Sequence, residues 1–262
     1  MSADQPALEV RDLVVRFGGL TAVDGASLQA PLGRITGLIG PNGAGKTTTF
    51  NSCSGLNRPT SGQVLLFGED AFSLSPTARA QRGLGRTFQR MELFDSLPVL
   101  ENVALGREAG IAGNSPLRQL VARRSERREA LDAAHAAMDL CGITDLADRR
   151  PGELSTGQRR LVELARVTAG DFRVLLLDEP SSGLDKSETA RFGEILLDLV
   201  RERDLGILVV EHDMSLVLGI CDYVYVLDFG KLVFEGTARE IASSDVVRAA
   251  YLGSEDVEAG LA

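Results

Sequence analysis

The chain has 262 residues, of which 44% are hydrophobic and 25% charged, enough length and apolar content for a sizeable core. Its formal net charge of -9 argues against general nucleic-acid binding, which needs Lys and Arg clustered on phosphates. Cys53, Cys141 and Cys221 are far apart, with no CxxC pair, so neither a disulfide framework nor a zinc site is suggested and a reduced cytoplasmic protein is expected.

Taken in chain order, "ALEVRDLVVRF" (7–17) is rich in Val and Leu with partial alternation and predicts a strand. "TAVDGASLQA" and "GRITGLIG" continue the strand pattern, separated by Gly-containing turns. A helix is expected after Lys46, then a turn and short strand in "SGQVLLFGED". "SPTARAQRG" predicts a short helix with Ser75 as N-cap and Pro76 at the first helical position. From about Leu93 to Leu140 the character becomes strongly helical, and a further helix is predicted to open at Ser115–Pro116. After Leu161 strand and helix alternate again. "VLLLDEP" and "GILVVEHD" are short apolar runs ending in acids, as buried parallel strands with polar carboxyl ends are. "YVYVLDFGKLVFEG" predicts a hairpin around Phe229–Gly230. The N-terminal "MSADQPALEV" has no signal-peptide apolar core. No run approaches the roughly 18 apolar residues of a membrane helix, so any work at a membrane is expected to go through partners.

Three stretches carry chemistry. "GPNGAGKT" (Gly40 to Thr47) matches G-x-x-x-x-G-K-[ST] between a strand and a helix. Its glycines let backbone N–H groups close on phosphate, Lys46 reaches the β- and γ-phosphates, and the Thr47 hydroxyl suits Mg²⁺. Lysine is scarce (Lys46, Lys186, Lys231), and one of the three falls in this loop. In "VLLLDEP", Asp178 is placed to hold Mg²⁺ and Glu179 to polarise a water as general base. "GELSTGQRRLVELARV" (152–167) reads as a helix start built for an anion. Ser155 is the N-cap, Gln158 completes a capping box, and Gly157 is expected to leave N–H groups uncovered.

"GPNGAGKT", "LSTGQRR", "LLLDEP", "SSGLD" and "EHD", in that order, resemble the ATP-binding cassette (ABC) ATPases over essentially the whole chain. The resemblance implies an α/β fold: a P-loop (RecA-like) ATPase core with an antiparallel β subdomain and a helical insertion subdomain. It implies one nucleotide-binding domain over 1–262, with the helical part at about 90–165. ATP and Mg²⁺ are the implied cofactors, with Gly40, Asn42, Gly43, Gly45, Lys46, Thr47 and Thr48 on the phosphates and Phe17 stacked on adenine. Tyrosine is commoner there, but phenylalanine keeps the stacking face. Gln89 in "GRTFQ" matches the loop glutamine that touches Mg²⁺ and the attacking water, so Thr47, Gln89 and Asp178 form the implied metal set. Glu179, Gln89 and His212 are the implied catalytic residues, His212 as the contact to the γ-phosphate. Ser155, Gly157, Gln158 and Asp185 match positions that face a second ATP-binding subunit. His135, in an Ala-rich helix, is expected to be structural or solvent-facing.

"RFGGLTAVDGASL", "GRTFQRMELFDSLPVLENV", "VEHDM" and the late "YLG" look like one subgroup: the first of two paralogous ATPase subunits of branched-chain amino acid importers. The departures are Thr156 in the middle of "LSTGQ" and the second serine of "SSGLD". The implied partners are a second ATP-binding subunit, identical or paralogous, transmembrane permease subunits, and indirectly an extracytoplasmic solute-binding protein, at the cytoplasmic face of the membrane. "RMELFDSLPVL" is the expected permease contact, and "ARRSERRE" (122–129) a solvated helix face. Another small polar cargo, such as an amide, urea or a carboxylic acid, stays open. A soluble ABC ATPase acting on nucleic acid would be expected to carry tandem cassettes or basic extensions, which are missing here. A module that binds ATP without hydrolysing it is disfavoured by Glu179 and His212.

Overall fold

The structure, a computed structural model, describes residues 6–87, 92–112, 124–244 and Val247. Strands β1 (Leu8–Phe17), β2 (Leu20–Ala30), β4 (Ser61–Leu66) and β5 (Glu69–Asp70) form an antiparallel sheet in the order β2-β1-β4-β5. The partial alternation of β1 has a local cause. Leu8 and Val10 are buried, then Leu13 and Val15, an odd step of three that would turn the second pair to solvent. The register against β2 shifts between Val10 and Leu13, where Asp12 has φ 45°. This bulge returns both pairs to the core face.

Strands β3 (Ile35–Ile39), β6 (Leu84–Arg86), β7 (Val174–Asp178), β8 (Gly206–Val210), β9 (Tyr223–Asp228) and β10 (Lys231–Gly236) form the second sheet, in the order β10-β9-β3-β8-β7-β6. Five strands run parallel, and β10 returns antiparallel on β9. Every residue of β3, β7 and β8 is buried, which is why they read as unbroken apolar runs. The expected β9–β10 hairpin turns through Phe229 (φ 42°) and Gly230 (φ 80°), two left-handed residues that match strand twist. Strand β6 has no counterpart in the sequence reading. Its three residues, two of them Gly85 and Arg86, are too few to show a period.

Helices α1 (Lys46–Ser54) and α2 (Pro76–Ala80) follow the first strands, and α2 starts as expected, with the Ser75 hydroxyl accepting from Ala78 N–H at 3.2 Å. Helices α3 (Val99–Ala112), α4 (Arg124–Leu140), α5 (Thr156–Ala169), α6 (Lys186–Arg203), α7 (Met214–Ile220) and α8 (Ala238–Ser243) follow, with short 3-10 turns at Thr144–Leu146 and Pro151–Glu153 between α4 and α5. The predicted helix start at Ser115–Pro116 lies outside the described residues. One core joins the antiparallel sheet to α1 and the second sheet through Leu8, Leu28, Phe50, Leu176 and Leu208. The other covers the sheet's far face with α5, α6 and α7 and runs on between α3, α4 and α5 through Val103, Met138 and Val162. His135 is exposed on α4, and the described part of 122–129 is a mostly solvated face with an Arg128–Asp132 pair at 3.9 Å.

Candidate functional site

The parallel register brings three strand ends to one level: Leu38 of β3 and Asp178 of β7 both pair with Val210 of β8. The 40–45 loop, Glu179 and Glu211–His212 therefore leave the sheet side by side at its carboxyl edge, where α/β proteins bind ligands. The loop is shaped by glycine. Gly40, Gly43 and Gly45 have φ of 150°, 83° and 102°. A Cβ on Gly40 would strike the Leu227 carbonyl, and one on Gly45 would lie 2.5 Å from the Ala22 carbonyl oxygen. The β9–β10 turn straps the loop, with Gly230 N–H donating to the Ala44 carbonyl at 2.9 Å.

The loop feeds α1, whose start differs from those of α2, α5, α6, α7 and α8. Each of those has a side-chain oxygen at its N-cap, whereas Gly45 offers α1 none. The first-turn N–H groups of α1 are thus kept for a ligand, and the helix dipole makes an anion the favoured one. Lys46 is buried, and its amine donates to the carbonyls of Gly40 (2.6 Å) and Pro41 (3.0 Å). Burial pulls its pKa below the ordinary value, opposed by the charges of Glu179 and Asp178. Asn42, Gly43 and Thr47 are exposed and Thr48 is half-buried.

Asp178 is buried at the end of β7, and burial raises its pKa. The opposing charge is Arg86 of β6, whose Nη2 lies 3.1 Å from Asp178 Oδ2. Glu179 follows in a left-handed conformation (φ 48°), its N–H held by the Val210 carbonyl at 2.9 Å. A non-glycine residue there is sparsely populated and persists where surrounding bonds impose it, often at working sites. Beside it, the Glu211 carboxylate is fully buried and accepts from Ser181 N–H (2.8 Å) and His212 N–H (3.2 Å). The His212 side chain is 61% exposed at the strand's carboxyl end, with Nδ1 4.0 Å from Glu211 Oε2. Phe17, 52% exposed, ends β1 with a bare aromatic face.

The "LSTGQ" helix begins as read: the Ser155 hydroxyl accepts from Gln158 N–H (3.2 Å), and Gln158 Oε1 accepts from Ser155 N–H (3.0 Å). Ser155 is exposed, but Gly157 is buried rather than open. A Cβ there would strike the carboxylate of Glu188 on α6, and a Cβ on Gly183 would lie 3.1 Å from Thr156 Cγ2. Glycine at 157 thus serves the packing of α5 on α6. Asp185 caps α6, accepting from Ser187 N–H and Glu188 N–H at 2.8 Å each. The Glu188 N–H bond, chiefly, holds its pKa low.

The residues therefore fall into two groups. The 40–48 loop, Asp178, Glu179 and His212 gather at one sheet edge, while Ser155, Gly157, Gln158 and Asp185 gather where α5 meets α6. Gln89 and the late "YLG" lie outside the described residues. Arg86 and Glu211 have no signal in the sequence, because each is marked by a partner distant along the chain, whereas Glu188 completes a capping box with Asp185 three residues before it, a spacing that could have revealed it. The donor set fits a nucleoside triphosphate with a divalent cation: an uncapped helix start, a buried lysine and a carboxylate at a strand end.

A family profile described as "ABC transporter" matches residues 23–182. The BraF protein of Pseudomonas aeruginosa, a high-affinity branched-chain amino acid transport ATP-binding protein, is 38% identical over 251 residues, covering 95% of this chain and 98% of that one. LivG of Salmonella typhimurium, described in the same words, is 39% identical with the same coverage. Among solved structures, the ADP conformation of an ATP-binding cassette of an ABC transporter shares 30% identity and a TM-score of 0.84, covering 95% of this chain and 99% of that one. A nucleotide-free cassette shares 29% identity and a TM-score of 0.82, covering 94% and 98%. With this α/β core, its antiparallel sheet and its packed helices, the chain belongs to the ABC transporter family, as an ATP-binding cassette with ATPase chemistry.

Proposed function

We propose that the chain is the ATP-hydrolysing subunit of an importer for branched-chain or related amino acids. The observation that carries this is near full-length similarity, 38–39% identity over 95% of the chain, to ATP-binding proteins of branched-chain amino acid transport. In this reading Gly40, Asn42, Gly43, Gly45, Lys46, Thr47 and Thr48 hold the phosphates of ATP and Phe17 stacks on its base. Thr47, Asp178 and Gln89 hold Mg²⁺, which when bound neutralises phosphate charge. Glu179 takes the proton of the attacking water, and His212 meets the γ-phosphate. Ser155, Gly157, Gln158 and Asp185 face a second ATP-binding subunit, so ATP draws two subunits together and hydrolysis releases them.

A groove of about 770 Å³ between α2, β6, α3 and α5, lined by Leu56, Leu84, Leu93 and Phe94 among others, supports a seat for a transmembrane partner. Phe94, from the expected contact stretch, is 54% exposed. No helix among the described residues is long and apolar enough to cross a membrane. The proposed place is thus the cytoplasmic face, reached through that partner, with a solute-binding protein on the other side. Deleting the encoding gene should abolish high-affinity uptake of branched-chain amino acids, and the wild-type chain, but not Glu179→Gln, should restore it. Membranes should yield the chain together with transmembrane subunits. Unchanged uptake after deletion would reject this cargo.

A further inference from the structure

We propose that Arg86 is a positioning residue for the metal-side carboxylate, fixing the Asp178 side chain and tying it to the helix that carries Lys46 and Thr47. Its guanidinium spans two elements. Nη2 meets Asp178 Oδ2 on β7 at 3.1 Å, while Nη1 donates to Asn51 Oδ1 (2.8 Å) and Ser54 Oγ (2.6 Å) on α1. Both members of the ion pair are nearly buried, with side chains 10% and 6% exposed. A single planar fork can hold three acceptors in fixed directions, which a lysine ammonium on a flexible stem does less well. Holding Oδ2 stops rotation of the carboxylate and so sets where Oδ1 points. The link to α1 sets the distance from that oxygen to the Thr47 hydroxyl at the other end of the same helix.

A buried carboxylate without such a partner carries a large desolvation cost and relaxes away from its working geometry. Outer partners of metal-holding carboxylates act in this way on metal affinity. Arg86 also lines the 770 Å³ groove, so whatever seats there abuts the residue that aims Asp178. The inference rests on the ATPase reading above and adds a residue to it.

The test is calorimetric titration of the full chain with ATP, in Mg²⁺ and in EDTA, and the ratio of the two affinities is the readout. Arg86→Gln and Arg86→Met should reduce the Mg²⁺ enhancement by about tenfold or more while the affinity in EDTA stays near wild type. Arg86→Lys should recover part of the loss, and Arg86→Met/Asp178→Asn should be no worse than Asp178→Asn alone. If Arg86→Met does not fold, Arg86→Gln carries the comparison. An unchanged enhancement in Arg86→Gln, or an equal loss in EDTA, would overturn the proposal, the latter making Arg86 a support of the fold only. A wild-type chain that binds no ATP would instead remove the function on which it rests.

Discussion

The Ser181 N–H donates to the buried carboxylate of Glu211 at 2.8 Å, joining the turn that follows Glu179 to the strand end that presents His212. Burial raises the Glu211 pKa from its ordinary 4.5, opposed by hydrogen bonds from Ser181 and His212. The folded state therefore binds more protons than the unfolded one from about pH 4.5 upward to the raised folded value. Stability from this group is present below that window and is lost as pH rises through it. Glu211→Gln keeps an acceptor and removes the titration. Its melting temperature relative to wild type should be more favourable near pH 8 than near pH 5. Glu211→Ala, which leaves the Ser181 N–H buried without that acceptor, should cost about 1–3 kcal/mol in urea unfolding. A relative melting temperature moving the other way with pH would show that the carboxylate gains from being ionised.

Arg79 is 1% exposed, and its guanidinium is spent on main-chain carbonyls. Nη1 donates to Ser52 and Cys53 at 2.6 Å each and Nη2 to Ala71 at 2.7 Å. Ser52 and Cys53 are in the last turn of α1, where carbonyls have no i+4 partner within the helix and the dipole favours a cation. The phosphate-loop helix is thus capped by charge at the end opposite its anion seat. Arg79→Met would keep much of the volume and remove the donor to the Cys53 carbonyl, while Ser52 and Ala71 keep the N–H groups of Gly55 (3.3 Å) and Leu74 (3.0 Å), lowering unfolding free energy by about 1–3 kcal/mol. A loss under about 1 kcal/mol in urea melts would show that water replaces the guanidinium.

The site was legible in the sequence where its chemistry is local. Gly40 to Thr47 works through consecutive backbone dihedrals, and Ser155 and Gln158 bond across three residues, so spacing alone reveals both. The buried strands β3, β7 and β8 were legible because burial on both faces forces continuous apolar runs. Arg86, Glu211 and Arg79 were not legible, since their partners lie 92, 30 and 27 residues away along the chain. A buried arginine carries the same letter as a solvated one. Gly157 shows the converse. Its place in a helix start suggested an open anion seat, yet the residue is buried, and a Cβ there would meet the Glu188 carboxylate of the next helix.

That contact makes a prediction of its own. Gly157→Ala forces a methyl group into the Glu188 carboxylate. The same carboxylate accepts from Asp185 N–H at 3.1 Å in the α6 capping box, so its retreat from the methyl disturbs that helix start. Gly157→Ala should leave ATP affinity of the isolated chain near wild type and lower turnover of the assembled transporter. Glu188→Ala alone removes the same capping bond and should lower turnover to a similar degree. Normal turnover in Glu188→Ala would locate the Gly157→Ala defect in the glycine's own contact with the partner subunit.

Ser155 offers a way to separate folding of the α5 start from its proposed role across a subunit boundary. Its hydroxyl is the cap and is exposed, so Ser155→Arg removes a cap, at about 1 kcal/mol, and also introduces bulk. Ser155→Asp keeps a good capping oxygen and adds a negative charge where a phosphate is expected. If the seat belongs to ATP held by a second subunit, both variants should block turnover of the assembled pair. ATP affinity of the isolated chain should stay near wild type in each, because its own phosphates sit on the 40–48 loop. Only Ser155→Arg should lower thermal stability. Calorimetry on the isolated chain decides the matter. A fall in ATP affinity of about tenfold or more, near 1.4 kcal/mol, in Ser155→Asp would place this serine at the chain's own nucleotide and end the two-subunit reading.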